Sequence, residues 1–246
     1  AHTAAEAADV FVSAVPTPLT EEKAPQMEYV WNAARMIAPV VKPGNLVILE
    51  STSPVGTTEK VGDILAAAGV DLSTVFLAHC PERVLPGRIM IELSENDRIV
   101  GGVTPEATAV VAEFYRSFVV GEVLETTART AEMTKLVENA SRDVQIAFAN
   151  ELSLLSDRFG VDVWEVIEMA NHHPRVNILR PGPGVGGHCI AVDPWFLVDG
   201  APDEAVLIRT ARERNLAKTD WVVGEILRRA GEMGAGEPGA GADAGA

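Results

Sequence analysis

Only two of the 246 residues are cysteine, Cys80 and Cys189. Two are too few for a disulfide framework, so reduced thiols in a cytoplasm are expected. Lysine is nearly as scarce: five of the 20 basic residues, the rest arginine, against 35 carboxylates. The formal charge of −15 argues against nucleic acid or an anionic membrane surface as partner. An acidic, lysine-poor surface suits a salt-rich cytoplasm, although a GC-rich genome also favours arginine. No apolar run approaches the roughly 20 residues that span a bilayer. The first ten residues, AHTAAEAADV, lack the basic and apolar regions of a signal peptide. What remains is a cytoplasmic globular protein, long enough to bury a substantial core.

The first half alternates strand and helix signals. Short apolar runs at 9–16, 45–51, 74–82, 97–102 and 121–127 read as buried strands. Helical patterns lie between them at 27–40, 56–69 and 105–118. Such alternation implies an α/β fold with a mainly parallel, Rossmann-like sheet, whose ligands lie at the carboxyl ends of the strands. From about Thr130 the pattern is all helix, with long amphipathic stretches at 130–160 and 203–231 and a shorter one at 162–171. A loop is expected from His172 to about Pro202. These features divide the chain into an α/β region (1–128), a central helical region (129–231) and a disordered Gly/Ala tail (232–246).

Within the loop, Gly182-Pro-Gly-Val-Gly-Gly187 satisfies G-x-G-x-x-G, the fingerprint of a dinucleotide-binding turn. That turn needs a strand before it and a helix opening within it. Here Pro174, Pro181 and Pro183 precede it, and Pro194 follows before any helix could complete two turns, so the fingerprint fails on both sides. The glycines instead present His188-Cys189 on a tight loop. A lone cysteine is ordinarily a small buried hydrophobe. One flanked by glycines, with an Asp four residues on, has the setting of a nucleophilic thiolate. A metal site from His172, His173, His188 and Cys189 has no usual zinc spacing, and no metal is expected.

Five segments in order, VSAVPTPL (12–19), ESTSPVGTTEKV (50–61), HCPERVLPGR (79–88), EMTKLVENASRDVQIAFANELS (132–153) and HHPRVNILRPGPGVGGHCIAVDPWF (172–196), resemble the nucleotide-sugar 6-dehydrogenase family. The resemblance runs from about Ala8 to Ala230. Val192, where the glucose branch usually has Lys, favours the branch acting on UDP-N-acetyl-D-mannosamine. UDP-glucose is the alternative substrate. The resemblance implies a four-electron oxidation of a primary alcohol to a carboxylate with NAD, in polysaccharide biosynthesis, through a cysteine thiohemiacetal and thioester.

The roles it implies are as follows. Cys189 is the nucleophile, while Lys135 and Asn139, one helical turn apart, are donors to the reacting oxygen. Asp193 orients the lysine or a water, and Glu82 and Thr52 act on the hydrolytic water. Arg83, Arg175, Asn177, Gly184, Gly186 and His188 contact the UDP-sugar. Val15, Pro16, Thr17, Ser51 and Thr52 contact NAD. Each has an ordinary alternative: a solvated helix lysine, a surface carboxylate, a helix-capping hydroxyl, a turn-initiating Asp.

Relatives in the family begin with a strand and a true glycine fingerprint and end in a second α/β domain. The resemblance therefore implies a chain truncated at both ends, with residues 1–128 a partial NAD-binding domain. Two classes of function stay open: part of an active dehydrogenase, or a catalytically silent binding or dimerisation module. The long helices are expected to build a homodimer, as in relatives.

Overall fold

The structure, a computed structural model, describes residues 5–84, 87–187 and 189–235. Five short strands, β1 (Val10–Ser13), β2 (Leu46–Leu49), β3 (Phe76–His79), β4 (Arg98–Gly102) and β5 (Val123–Thr127), form one sheet in sequential order. Neighbouring strands are parallel except β3 and β4, which pair antiparallel through Ala78↔Gly102 and His79↔Gly101. The expected mainly parallel α/β sheet is thus present, with one reversal.

Period-two alternation along β2 sends its side chains to two cores. Val47 and Leu49 pack with Val30 and Ala34 of α1 (Glu28–Ile37) and with Val61 and Leu65 of α2 (Thr57–Ala67). Ile48 packs on the other face with Val111, Ala112 and Tyr115 of α4 (Pro105–Arg116). Burial on both faces explains why the central strands β2 and β3 read as continuous apolar runs, whereas the edge strands β1 and β5 are partly exposed. Thr104 caps α4 by accepting the Ala107 N–H at 3.1 Å, a contact worth about 1 kcal/mol.

Two helices depart from the sequence expectation. α3 (Ile89–Glu95) occupies the β3–β4 connection, and α7 (Asp193–Gly200) interrupts the expected loop. Pro194 lies in the first turn of α7. Proline is tolerated there because its missing N–H would have no intrahelical acceptor. The other helical expectations hold: α5 (Ala128–Phe159), α6 (Val163–Asn171) and α8 (Val206–Ala235). Because α8 reaches Ala235, residues 232–235 of the expected tail are helical, and 236–246 lie outside the described residues. Among the described residues no helix is long and apolar enough to cross a membrane.

By its internal contacts the chain forms two compact units. One comprises 1–141 and 188–206, the other 142–187 and 207–246. The boundary expected from sequence, 128/129, lies at the start of α5, whereas by contacts α5 as far as Ser141 goes with the sheet. The helical unit is built on a buried ion pair, Arg212 to Asp143 at 2.6 Å. Asn215 extends it by donating to Asp143 at 2.8 Å and accepting from Asn150 at 2.9 Å.

Candidate active site

In the sheet unit, the carboxyl ends of β1 and β2 bring the expected cofactor residues together. The Val15 N–H donates to Ser51 Oγ at 2.7 Å, and Thr17 Oγ1 donates to the Thr52 carbonyl at 2.8 Å. Ser51 is buried in this seam, whereas Pro16 is exposed and Thr52 is partly exposed. Parallel neighbours leave their carboxyl ends open as a crevice, which is where such sheets place ligands.

The second cluster joins α5 to α7. Asn139 donates its side-chain amide to Asp193 at 2.6 Å. Asp193 is only 4% exposed. Burial pushes its carboxyl up to about 6; the Asn139 hydrogen bond and the charge of Lys135 pull the other way and do not cancel it. The spacing of Lys135 and Asn139 on one helix thus converges on one carboxylate. The sequence expectation was that Asp193 orients the lysine or a water; its hydrogen-bonded partner is Asn139.

Cys189 is exposed. Its carbonyl accepts the N–H groups of Val192 at 3.1 Å and Asp193 at 2.9 Å. One tight turn therefore carries the chain from the thiol into α7. Gly187 enters that turn at φ +84, a left-handed conformation that a glycine adopts at no steric cost. His188 lies outside the described residues.

Glu82 follows β3. One carboxylate oxygen accepts the Arg83 and Val84 N–H groups at 2.6 and 2.8 Å, and the other faces the Arg98 guanidinium at 3.3 Å. Arg98 is buried on β4, and its Nη2 also donates to the Leu93 carbonyl at 3.4 Å. Beside it, Tyr115 donates to Glu50 at 2.6 Å. Burial pushes the Glu50 carboxyl up; the Tyr115 bond opposes this and the Glu82 charge adds to it. Arg83, expected on the substrate, pairs with Glu138 of α5 at 2.7 Å.

The remaining expected residues belong to the helical unit. Arg175 and Asn177 are exposed. The Arg175 N–H meets His173 Nδ1 at 3.3 Å. At Gly184 (φ +147) an added Cβ would collide with Thr219 of α8, so the close approach this glycine permits is to protein. Gly186 has open space around it. The Gly182 N–H donates to Asn150 at 2.8 Å, fixing the start of the glycine loop. Among the described residues no strand leads into that loop and no helix opens before Asp193, unlike a dinucleotide turn. A cavity of about 550 Å³ in this unit is lined by Trp164, Asn171, His172 and Arg180, among others.

Sequence reasoning missed Arg98, Glu50, Tyr115 and Glu132. Arg98 was signalled by its place in an apolar strand. Glu132 was signalled by helical spacing, since 132, 135 and 139 share one face.

Two family profiles match the chain. The NAD binding domain of the UDP-glucose/GDP-mannose dehydrogenase family matches residues 1–119, and its central domain matches residues 129–217. The NDP-N-acetyl-D-galactosaminuronic acid dehydrogenase of Ralstonia nicotianae is 58% identical over 239 residues, covering 94% of this chain and 56% of that protein. The UDP-N-acetyl-D-mannosamine dehydrogenase of Escherichia coli K12 is 57% identical over 228 residues, covering 89% and 54%. The solved UDP-D-ManNAc dehydrogenase of Pyrococcus horikoshii superposes with a TM-score of 0.84 at 47% identity, covering 91% and 54%. The chain thus spans about half the length of the curated relatives it matches. With both domain profiles matching in order along its length, the chain belongs to the UDP-glucose/GDP-mannose dehydrogenase family.

Proposed function

We propose that this chain carries the cofactor-contacting strand ends and the cysteine site of an NAD-dependent nucleotide-sugar dehydrogenase. The reaction is oxidation of the sugar's primary alcohol to a carboxylate. The observation that carries the reading is the cluster in which exposed Cys189 lies one turn from buried Asp193, itself bonded to Asn139 on the helix of Lys135. The substrate is a UDP-linked N-acetylhexosamine. N-acetylmannosamine is favoured by the names of the E. coli and P. horikoshii relatives, and the R. nicotianae name supports the galacto configuration as the alternative.

The residues present fit part of NAD. Thr17 and Thr52 place hydroxyls and backbone at the carboxyl ends of β1 and β2, and Ser13 Oγ is buried there without a partner. The N-terminus of α2, which follows β2, is already occupied by the Glu132 carboxylate. Val15, Pro16, Thr17, Ser51 and Thr52 would therefore hold the nicotinamide and its ribose, and the pyrophosphate falls to no described residue. When bound, NAD⁺ accepts a hydride in each of the two oxidations.

The protein's own groups do the rest. The Cys189 thiolate adds to the aldehyde carbon, its electron pair forming the C–S bond while the carbonyl oxygen takes the charge. Asn139 has a second amide hydrogen beyond the one given to Asp193, and Lys135 an ammonium; both stabilise that oxygen. At the thioester, Glu82 takes a proton from water, the water oxygen attacks the carbonyl carbon, and the thiolate leaves. Thr52 positions that water, and Arg98 holds Glu82. Arg175, Asn177, Gly186 and His188 are the proposed substrate contacts, joined by Arg83 when it exchanges Glu138 for the ligand, while Gly184 shapes the loop by packing on Thr219. Exposed Phe159, Trp164, Met169 and Leu227 of the helical unit are apolar enough to support a homodimer. The reduced thiols fit a cytoplasmic location.

The test is NADH absorbance with UDP-N-acetylmannosamine, beside Cys189→Ala. Two NADH per sugar, both lost or reduced to one in the variant, support the reading. No NADH with this sugar, its galacto epimer or UDP-glucose would leave a silent binding module.

A further inference from the structure

The helix α2 starts without a cap of its own. Its N-cap position is Gly56, at φ +93, which has no side chain to accept a hydrogen bond. Its first N–H groups would be orphaned in a buried setting. They are satisfied instead from α5. Glu132 accepts the Gly56 N–H at 2.6 Å on one oxygen, and the Thr58 N–H at 2.7 Å and Thr58 hydroxyl at 2.6 Å on the other.

This is a costly way to cap a helix. Glu132 is 1% exposed and Thr58 is fully buried. Burial pushes the carboxyl up against the pull of those hydrogen bonds. The nearest arginine in sequence, Arg129, is engaged by Glu59 at 2.9 Å. A neutral Ser or Asn at the N-cap would serve the helix alone at lower cost. What a local cap cannot do is connect two elements. Glu132 lies three residues before Lys135 and seven before Asn139, on the same face of α5. The segment it grips begins at Ser51 and Thr52 and continues into α2.

Resting on the functional reading above, we propose that Glu132 is a positioning residue. It fixes the β2–α2 loop, with Ser51 and Thr52, at a set distance from the helix bearing Lys135 and Asn139. The charge is part of the device: both oxygens accept, and the positive end of α2 favours an anion. The same contact keeps this helix N-terminus closed to phosphate groups of cofactor or substrate, leaving Thr52 free for water.

The test uses the 246-residue chain in three forms: wild type, Glu132→Gln and Thr58→Val. Amide hydrogen exchange is followed by mass spectrometry, and NADH formation is measured in parallel. The amide of Glu132→Gln can accept on one side only and turns a donor towards Gly56. Exchange over residues 50–58 is expected to rise about ten-fold or more, with β3 to β5 unchanged and a smaller rise in Thr58→Val. The kcat is expected to fall about ten-fold while KM for sugar and NAD⁺ changes less than about two-fold. Unchanged exchange over 50–58, an even rise across the chain, or a loosened loop with unchanged kcat each overturns the proposal. If Glu132→Gln does not fold, Thr58→Val decides on the same criteria. A wild type that forms no NADH sinks the functional reading alone, and local exchange then decides whether Glu132 holds the loop.

Discussion

Asn139 and Asp193 stand 2.6 Å apart, joining the middle of α5 to the first residue of α7. The buried Asp193 carboxyl has its pKa raised from an ordinary 3.8 to about 6. A raised carboxyl stabilises the fold fully below its unfolded value, and that contribution is lost as pH rises through the folded value. Asp193→Asn is therefore expected to raise stability at pH 8 by about 1–3 kcal/mol and to change it little below pH 4. Thermal melts at the two pH values check this; a variant destabilised at pH 8 contradicts it.

The same group is expected to set an acid limb on activity. Above about pH 6 Asp193 is a carboxylate that accepts from Asn139 and attracts Lys135; below it, a neutral acid. The kcat is expected to fall as pH drops through about 6, and this limb is expected to be absent from whatever activity Asp193→Asn retains. A pH–rate profile with no limb near 6 in wild type argues against an essential Asp193 carboxylate.

Arg98 is 1% exposed and holds Glu82 at 3.3 Å. Arg98→Met removes one partner of a largely buried pair and is expected to cost about 2–4 kcal/mol in urea unfolding. Activity per folded molecule should fall further, since Glu82 then lacks its anchor. Unchanged activity at lowered stability would make Arg98 structural only.

Two glycines of one loop should respond differently. A Cβ at Gly184 meets Thr219, and φ there is +147, whereas Gly186 has open space and no left-handed φ. Gly184→Ala is expected to destabilise by about 1–3 kcal/mol and Gly186→Ala by under about 0.5 kcal/mol. If Gly186→Ala nonetheless raises KM for the sugar, its role is ligand contact.

Much of this architecture was legible in the sequence for physical reasons. Buried parallel strands must be continuous apolar runs, and Pro16 and Pro81 mark where two of them stop. α7 was missed because Pro194 was weighed as a breaker, although in a first turn it is harmless. α3, at seven residues, is too short for periodicity to register. The convergence of Lys135 and Asn139 was visible as helical spacing, and so in principle was Glu132. Its partners Gly56 and Thr58 lie 76 and 74 residues away, and no local pattern encodes that meeting. Asp143 and Arg212 look like solvated helix charges in sequence, yet they are buried against each other. Arg83, a substrate contact by resemblance, pairs with Glu138, 55 residues on, which no local pattern encodes.

In the proposed reaction Cys189 carries the sugar during turnover. The most direct test is the intact and peptide mass of Glu82→Gln after mixing with UDP-N-acetylmannosamine and NAD⁺. The glutamine keeps an oxygen for the Arg83 and Val84 N–H groups but cannot take the proton from water. The acyl adduct of the nucleotide sugar is expected to accumulate on the peptide containing Cys189, with hydroxylamine releasing it. NADH formation with no adduct on Cys189, or with an adduct on Cys80 instead, would contradict it.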